Sequence, residues 1–359
     1  PDGATEANGY VFEGMKYDPT VWTVTATVSV DSESGALEVA WSIMNNDPNA
    51  TGTHEYVVFN NSYTPTPITL EDDTNATIYG AKTLTGRDAL DTEKFEFTIE
   101  GANQETDDAI ADQTVTFGDT DLVTEVSGPG AIDNARFDFG SVTFTKPGIY
   151  TFDINEKRPA EANASNGYKY NGITYDTHTC QVTVAVTDEN KDGTLAASVS
   201  YYGDQLFTNA YTASVDYGAN AKLFVAKTLN GRDMAEGEFG FTIKDGEGTV
   251  VDQTTNDASA NGVQVGMEML RNLKFNQSQV SSTPYTYVVD ETEPQDDDAE
   301  KAGIQSKGVT YDQSQYRIDI LVGDNYDGTL NTTTTVTRVM DASGVTVEEA
   351  LGTYTTNQE

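Results

Sequence analysis

Apolar and polar residues alternate over much of this chain, as they do in strands with one buried face. The stretches 22–28 and 316–322 both show this period of two. Glycine-containing turns follow such stretches at 33–35, 191–194 and 326–329, and another alternating stretch follows each turn. No helical period persists along the sequence. Many short strands joined by tight turns predict an all-β fold of tandem immunoglobulin-like β-sandwich domains.

Two ordered sets of motifs recur along the chain. Each set has a lysine opening KTLxGRD, a glutamate ending YTxxxxE and an asparagine near its last strand. The first set is Lys82, Glu156 and Asn209, and the second is Lys227, Glu291 and Asn357. The lysine and the asparagine are 127 residues apart in the first set and 130 in the second. Such a constant period indicates repeated domains.

The repeats predict three units, at 1–64, 74–212 and 219–359, with linkers expected at 62–75 and 211–220. Residues 8–18 match residues 166–176 at an offset of 158, so the first unit is predicted to be the C-terminal half of a truncated β-sandwich repeat. Its Asn61 corresponds to Asn209, but the lysine and glutamate half would precede residue 1. We therefore expect the sequence to be a fragment of a longer chain.

Several single residues fit core positions of these strands. Cys180 alternates with valines, which favours an apolar core thiol over a nucleophile. Trp22 and Trp41 are in phase with apolar strand positions, so we expect both in the core. Tyr201 and Tyr202 are adjacent and must point to opposite faces of a strand, so one of them is predicted to be exposed.

The composition restricts the partners of the chain. Its net charge is −38, from 58 acidic and 20 basic residues, and this disfavours nucleic acid, which binds through lysine and arginine. No apolar run is long enough to span a bilayer, and no leader opens the sequence, so we expect any anchor to lie outside it. One cysteine excludes an internal disulfide framework.

One acidic turn deserves comparison with a calcium-binding loop. Asp188, Asn190, Asp192 and Gly193 match the start of an EF-hand, but Val199 stands where a bidentate glutamate is needed. We interpret the segment as a hairpin turn, and we expect no metal and no cofactor. No phosphate loop, zinc spacing or Ser/His/Asp set occurs, so the chain is not expected to be an enzyme.

At the repeated motifs the sequence resembles the streptococcal pilin isopeptide-linkage domains, relatives of the B-type repeats of collagen adhesins in Gram-positive bacteria. In that family a lysine on the first strand bonds to an asparagine on the last strand, and a glutamate promotes the reaction. The resemblance implies bonds from Lys82 to Asn209 with Glu156, and from Lys227 to Asn357 with Glu291. The second copy ends in YTTN, whereas the first has FTNAY.

This chemistry requires the three side chains to meet in a dry environment. Desolvation disfavours a charged lysine, whose reference pKa is about 10.4, and it raises the pKa of a glutamic acid. The glutamic acid can then polarise the asparagine amide and move protons while ammonia leaves. The aromatic residues expected to surround the two sites are Phe95, Phe97 and Phe207, and Phe239, Phe241 and Tyr285.

Two functions from different classes follow. The first is a structural stalk or shaft segment of a Gram-positive cell-surface pilin or adhesin, with other pilin or adhesin domains as partners. The chain would be extracellular and attached to the cell wall through an anchor elsewhere, without membrane insertion of its own. The alternative is an adhesin module that recognises a host glycan or protein through exposed aromatic residues such as one of the two adjacent tyrosines.

Overall fold

The computed structural model describes residues 1–46, 54–71, 77–118, 122–293 and 305–356. Short strands dominate these residues, and the fold is all-β with tandem β-sandwiches, as the alternation predicted. Two short α-helices, α1 (Gln104–Ala111) and α2 (Tyr217–Ala221), were not expected. Single 3-10 turns lie at Glu6–Asn8, Ala164–Asn166 and Gln277–Gln279. No helix in the described ranges is both long enough and apolar enough to cross a lipid bilayer.

The N-terminal segment contains five strands: β1 (Val11–Phe12), β2 (Met15–Lys16), β3 (Trp22–Val30), β4 (Leu37–Asn45) and β5 (Ser62–Tyr63). Strands β1, β2 and β5 form a small antiparallel sheet. Strands β3 and β4 form a separate hairpin around the turn at Gly35.

The prediction that both tryptophans are core residues was wrong for Trp41, which is 67% exposed, while Trp22 is half-buried. Val24 and Val28 on the same hairpin are also exposed. The alternation correctly identified one apolar face of β3 and β4. No described strand packs on that face, so the side chains remain open to solvent.

The first complete sandwich contains strands β6 (Ile68–Leu70), β7 (Tyr79–Thr85), β8 (Lys94–Gly101), β9 (Val115–Phe117), β10 (Val123–Ser127), β11 (Ala135–Asp138), β12 (Val142–Phe144), β13 (Gly148–Lys157), β14 (Lys169–Tyr170), β15 (Ile173–Thr174), β16 (Thr179–Thr187), β17 (Ala196–Tyr202) and β18 (Leu206–Tyr211). One five-stranded sheet has the order β10-β8-β13-β16-β17, and the other has β11-β7-β18-β15-β14. Strand β18 runs parallel to β7. The core between the sheets is rich in phenylalanine and valine.

The second sandwich contains β19 (Ser214–Asp216), β20 (Leu223–Lys227), β21 (Gly240–Asp245), β22 (Val250–Thr255), β23 (Val265–Met269), β24 (Lys274–Asn276), β25 (Tyr285–Glu291), β26 (Gln305–Ser306), β27 (Val309–Thr310), β28 (Gln315–Asp324), β29 (Leu330–Met340) and β30 (Thr346–Thr356). Its main sheet has the order β22-β21-β25-β28-β29-β30. Strands β20 and β23 form one two-stranded ribbon, and β26 and β27 form another.

The segments expected to be linkers carry regular structure instead. Within 62–75, β5 pairs with β2, and β6 pairs with β12 of the first sandwich. Within 211–220, β19 pairs with β24 of the second sandwich, and α2 follows directly. Proline, glycine and threonine reduce the apolar alternation in both segments, which is why they were expected to be linkers. Their backbone groups still pair, because an unpaired N–H or C=O that is buried costs free energy.

The junction between the two sandwiches is a close backbone contact. The Tyr211 hydroxyl at the end of β18 donates a hydrogen bond to Asp324 Oδ1 of the next sandwich at 2.6 Å. Beside it, a Cβ added to Gly328 would lie 2.8 Å from Gly172 Cα, so only glycine fits. The guanidinium of Arg87, from the KTLTGRD motif, lies 4.3 Å from the Tyr211 ring centroid.

The same junction occurs between the N-terminal segment and the first sandwich. The Tyr63 hydroxyl donates to Asp188, and Gly14 packs on Gly193 as Gly172 packs on Gly328. The turn proposed from sequence at 188–194 is a hairpin turn between β16 and β17, and Asp188 accepts from its Gly193 N–H. The acidic turn of each sandwich therefore serves as the contact for the preceding unit.

Replacing Gly328 by Ala should loosen the junction, because the new methyl group would collide with the Gly172 backbone. We expect a broader distribution of distances between spin labels on the two sandwiches, measured by double electron–electron resonance. The control is Gly248→Ala, which has a similar positive φ and the associated cost of about 1–2 kcal/mol, but no described atom within 4 Å. Equal distributions for the two variants would contradict a tight junction.

Candidate functional site

Lys82, Asn209 and Glu156 come from three strands that face one another across the first sandwich. Lys82 lies on β7 and Asn209 on the parallel neighbour β18, where Phe207 is level with Lys82. Glu156 lies on β13 of the facing sheet. Because side chains alternate along a strand, the period of two that places neighbouring apolar residues inside also turns these three polar side chains inward.

The three side chains share one oxygen atom. Lys82 Nζ donates to Glu156 Oε1 at 2.9 Å, and Asn209 Nδ2 donates to the same oxygen at 2.7 Å. Lys82 and Asn209 are both 0% exposed, and Glu156 is 4% exposed. A lysine, a glutamate and an amide are therefore held together in the dry core.

Burial shifts the pKa values of this pair toward the neutral forms. Desolvation lowers the pKa of Lys82 to about 8, although the nearby Glu156 favours the charged ammonium. Desolvation also raises the pKa of Glu156 above its ordinary value, against the opposing effect of Lys82 and the Asn209 hydrogen bond. Both shifts favour transfer of the lysine proton to the carboxylate, which leaves a neutral amine beside the amide.

Aromatic rings lie close to the amine of Lys82. Lys82 Nζ lies 4.9 Å from the ring centroid of Phe95 and 5.9 Å from that of Phe97. Phe207 packs against Phe97 and stacks on His178, with its ring centroid 4.3 Å from the imidazole. The three phenylalanines named from the sequence therefore lie at this site and exclude water from it.

Asp176 is a site residue that the sequence analysis missed. Its main-chain N–H donates to Asn209 Oδ1 at 2.8 Å. Its carboxylate accepts from the Thr208 N–H at 2.7 Å and from His178, which fixes the strand that carries Asn209. Burial opposes the charge on Asp176, yet these hydrogen bonds lower the pKa of its carboxyl below the ordinary value.

A sequence signal for Asp176 was present in the repeat. A Tyr-Asp pair closes the matching stretches at 17–18, 175–176 and 311–312. In the N-terminal segment the Asp18 N–H donates to Asn61 Oδ1 at 3.0 Å, and the Asp18 carboxylate accepts from the Asn60 N–H. The aspartate of the Tyr-Asp pair therefore positions the asparagine carbonyl in the first sandwich and in the N-terminal segment. The described residues of the N-terminal segment include no counterpart of Lys82.

The second sandwich brings Lys227 and Glu291 together. Lys227 Nζ lies 2.8 Å and 2.9 Å from the two carboxylate oxygens of Glu291, and 4.4 Å from the ring centroid of Phe239. Burial raises the pKa of Glu291 above its ordinary value, and Lys227 opposes the shift. The Lys227 side chain is 11% exposed, whereas that of Lys82 is 0% exposed.

Of the other residues predicted for the second site, Phe241 lies at the site and Tyr285 does not. Phe241 lines the same groove as Lys227 and Glu291. Tyr285 packs on Phe275 at the other end of β25, so its inclusion among the rings around the site was wrong. Asn357 lies outside the described residues, and its pairing with Lys227 stays a prediction.

The other candidate chemistry lies in the core or on the surface. Cys180 is fully buried, and burial raises the pKa of its thiol to about 11, which fits a core thiol. Tyr202 is 81% exposed and Tyr201 packs against the core, as their opposite faces predicted. Among the described residues, no cluster of three or more histidine, cysteine or acidic side chains could hold a metal ion.

The geometry can be compared with known protein families. The model of the family FctA, described as a Spy0128-like isopeptide containing domain, matches residues 78–212 and 223–355. The two matches together cover more than half of the chain, and each contains one of the lysine and glutamate pairs. The chain belongs to this family. The resemblance inferred from the repeated motifs is thereby confirmed.

Solved structures similar to this tandem of FctA domains include two major pilins of Streptococcus pyogenes. A mutant form is 17% identical over 78% of this chain and 97% of the pilin, with a TM-score of 0.29. The T3.2 pilin of serotype GAS13637 is 16% identical over 80% and 97%, with a TM-score of 0.25. The Bacillus anthracis TIE protein is 10% identical over 93% and 56%, with a TM-score of 0.14. A comparison with curated protein sequences found no match.

The depressed pKa of Lys82 predicts how stability depends on pH when the lysine remains a free amine. In an Asn209→Ala variant, which removes the amide predicted to react, the folded state binds fewer protons than the unfolded chain between about pH 8 and pH 10.5. The free energy of unfolding should therefore rise with pH across that window. Chemical denaturation at several pH values measures this slope.

The control for this experiment is the double variant Asn209→Ala with Lys82→Met. It lacks the titrating amine, so the rise between about pH 8 and pH 10.5 should disappear relative to the single variant. Equal slopes for the two proteins would show that the Lys82 pKa is not depressed.

Proposed function

We propose that this chain is a structural stalk or shaft segment of a Gram-positive cell-surface pilin or adhesin, stabilised by autocatalytic intramolecular Lys–Asn isopeptide bonds. The observation that carries the proposal is the buried contact of Lys82 and Asn209 with a single oxygen of Glu156. Most lysines lie at the surface, where water solvates the ammonium. Burying a charged lysine costs free energy of desolvation, so its burial here indicates a specific role. Membership of an isopeptide-containing domain family adds independent support.

The reaction proceeds from the neutral pair. The lysine ammonium transfers a proton to Glu156, and the free amine of Lys82 attacks the Asn209 carbonyl carbon. The Asp176 N–H stabilises the charge that develops on Oδ1, as an oxyanion-hole donor does. Glu156 then delivers that proton to the amide nitrogen and takes the second proton from Nζ, so that it ends as a neutral carboxylic acid. The C–N bond of the asparagine amide breaks, ammonia leaves, and the Nζ–Cγ amide bond remains.

The position of this bond explains a mechanical role. It joins β7, near the start of the domain, to β18 at its end, and the two strands are parallel neighbours. A pulling force applied at both ends passes directly through the bond, so the strands between remain shielded. Closing a loop of this length adds about 5 kcal/mol by the chain-entropy estimate for disulfides. The chemistry occurs once, within the chain, and does not make it an enzyme.

The same proposal places the chain outside the cell. A stalk exposed to shear and proteases is stabilised by covalent crosslinks. This chain contains one cysteine, so a disulfide within it cannot supply such a crosslink. Its partners would be further pilin or adhesin domains, joined at contacts such as the Gly172–Gly328 junction. Binding of a host glycan or protein stays a prediction from the sequence.

Intact mass under denaturing conditions tests the first bond. The wild-type chain should lack the mass of one ammonia for the Lys82–Asn209 bond, and Lys82→Met, Asn209→Ala or Glu156→Gln should each restore it. The matched control is Lys94→Met, which removes an exposed lysine paired with Glu125 on the neighbouring strand β10 of the same sheet. A wild-type mass without any deficit would reject the proposed crosslink.

Stability provides a second test of the bond. The Asn209→Ala variant loses the crosslink, so the first domain should unfold at lower denaturant concentration, with a loss of about 5 kcal/mol. Limited trypsin digestion should then cleave within residues 77–211, which remain intact in the wild type. Equal protection of both proteins would show that the bond contributes little.

Asp176→Ala tests the positioning of the asparagine. The variant keeps the main-chain N–H but loses the carboxylate that holds the Thr208 N–H, so Asn209 should leave its attack geometry more often. We expect crosslinking during refolding to slow on the order of tenfold or more. Asp153→Ala is the control, since Asp153 pairs with Gln181 away from the site. Equal rates for the two variants would remove Asp176 from the mechanism.

A further inference from the structure

Both residues of the first Lys–Asn pair lie on strands that end at the junction with the second sandwich. Asn209 is two residues before Tyr211, the last residue of β18, and Tyr211 is 2% exposed. Lys82 lies on β7, and Arg87 follows the end of that strand by two residues. The two strands are parallel neighbours, so both lead toward the second sandwich. Contacts at the junction can therefore act on the strands that carry both reacting groups.

Tyr211 is fixed from both sides within its own domain. A Cβ added to Gly86 would lie 2.2 Å from the main-chain oxygen of Tyr211, and a Cβ added to Gly172 would lie 2.5 Å from Cε2 of its ring. On the other side, Ile173 of β15 is level with Tyr211. A strand is an extended chain, so a slip of Tyr211 along β18 moves Asn209 with it. The position of the tyrosine along the strand thus determines that of the asparagine.

The second sandwich contacts the ends of both strands. The Tyr211 hydroxyl donates to Asp324 Oδ1 at 2.6 Å, and the Tyr326 N–H donates to the same oxygen at 2.8 Å. The guanidinium of Arg87 lies 4.3 Å from the ring centroid of Tyr211 and 5.7 Å from that of Tyr326. We call these four residues the junction cluster. It joins β18, the turn after β7 and the acidic turn of the second sandwich.

Arg87 is held rigidly in this cluster. Its Nη1 and Nη2 atoms donate to the two carboxylate oxygens of Glu93 at 2.8 Å and 2.5 Å, and its side chain is 6% exposed. A guanidinium fixed in this way presents a flat face to the aromatic rings, and cation–π attraction is stronger where water is excluded. The cluster therefore links the acidic turn of the second sandwich to the strands of Lys82 and Asn209 by defined contacts.

We propose that the second sandwich sets the reaction geometry of the Lys82–Asn209 pair, with Asp324 as a positioning residue that acts through Tyr211. The junction cluster holds β18 in register against β7, so the Asn209 carbonyl carbon stays within reach of Lys82 Nζ. A displacement of about 1 Å between reacting groups can slow a reaction about a hundredfold. The inference rests on the proposed crosslinking function and adds its control by the neighbouring domain. The bond should therefore form faster once the second sandwich has folded and docked.

The rate of the first crosslink in the full chain tests this inference. The chain is made in a short pulse of cell-free synthesis, samples are denatured at intervals, and tryptic digests are analysed for the joined peptide that contains Lys82 and Asn209. Asp324→Ala should slow formation of this peptide about tenfold. Tyr211→Phe keeps the ring but loses the hydroxyl, so it should slow the reaction to a similar extent. The double variant should be no slower than Asp324→Ala, because both changes remove the same hydrogen bond.

Three further variants serve as controls. Asp324→Asn should react at nearly the wild-type rate, because the hydrogen bonds from Tyr211 and Tyr326 both go to Oδ1, which the amide retains. Tyr63→Phe removes the corresponding hydroxyl contact at the other junction. Tyr150→Phe removes a hydroxyl bond to a main-chain carbonyl within the first sandwich. Neither tyrosine control should change the rate.

The outcomes separate this inference from the proposed function. A wild-type chain that never yields the joined peptide would refute the crosslink itself. Wild-type rates in both Asp324→Ala and Tyr211→Phe would overturn the inference while leaving the crosslink intact, and Tyr211→Phe carries the test alone if Asp324→Ala does not fold. Equal slowing by Tyr150→Phe would also overturn it, since the effect would then reflect the stability of the first sandwich. Additive slowing in the double variant would show that the two residues act independently, against the inference.

Discussion

The burial of a lysine beside a glutamate in an apolar sandwich is the constraint on which the rest of this structure depends. Neither side chain is stable as an isolated charge in the core, and their opposite pKa shifts both favour a neutral amine next to the amide. The surrounding phenylalanines keep water out and so maintain both shifts. The feature that would destabilise an ordinary domain is here the starting point of the proposed reaction, whose product would contain neither buried charge.

The junctions extend this constraint from one domain to the next. Tyr211 follows Asn209 by two residues on β18, so its side chain lies on the same face but beyond the domain end, where it contacts Asp324. Asn209, which is proposed to form the crosslink, and Tyr211, which contacts the next domain, thus belong to one strand. Gly172 and Gly328 allow the backbones to meet there without intervening side chains. In the proposed stalk, a pulling force would pass from one domain to the next through this contact.

The three units show which parts of the site form independently. The N-terminal segment holds Asn61 through the Asp18 N–H, and the second sandwich holds Lys227 against Glu291. Within the part of the chain that the structure describes, the first sandwich is the one that combines both halves. The position of the asparagine depends on a hydrogen bond from the main-chain N–H of an aspartate. The contact between lysine and glutamate depends on the packing of two sheets in the first sandwich. Each half is therefore held by contacts of its own, and such positioning of reacting groups is what the proposed reaction requires.

The sequence alone determined the all-β class, the repeat, and the lysine, glutamate and asparagine of the first site, because alternation and a recurring period directly encode which side chains face inward. Asp176 was missed, although a Tyr-Asp pair recurs in the three units, because its hydrogen bonds to the strand that carries Asn209 become visible only in the folded chain. The sequence also placed Trp41 in a core, because a pattern shows an apolar face but not what covers it. It assigned linkers where β6 and β19 lie, because the pairing of short strands leaves no strong alternation. Tertiary structure alone decided the strand order, since the pairing of distant strands depends on contacts that no local pattern contains.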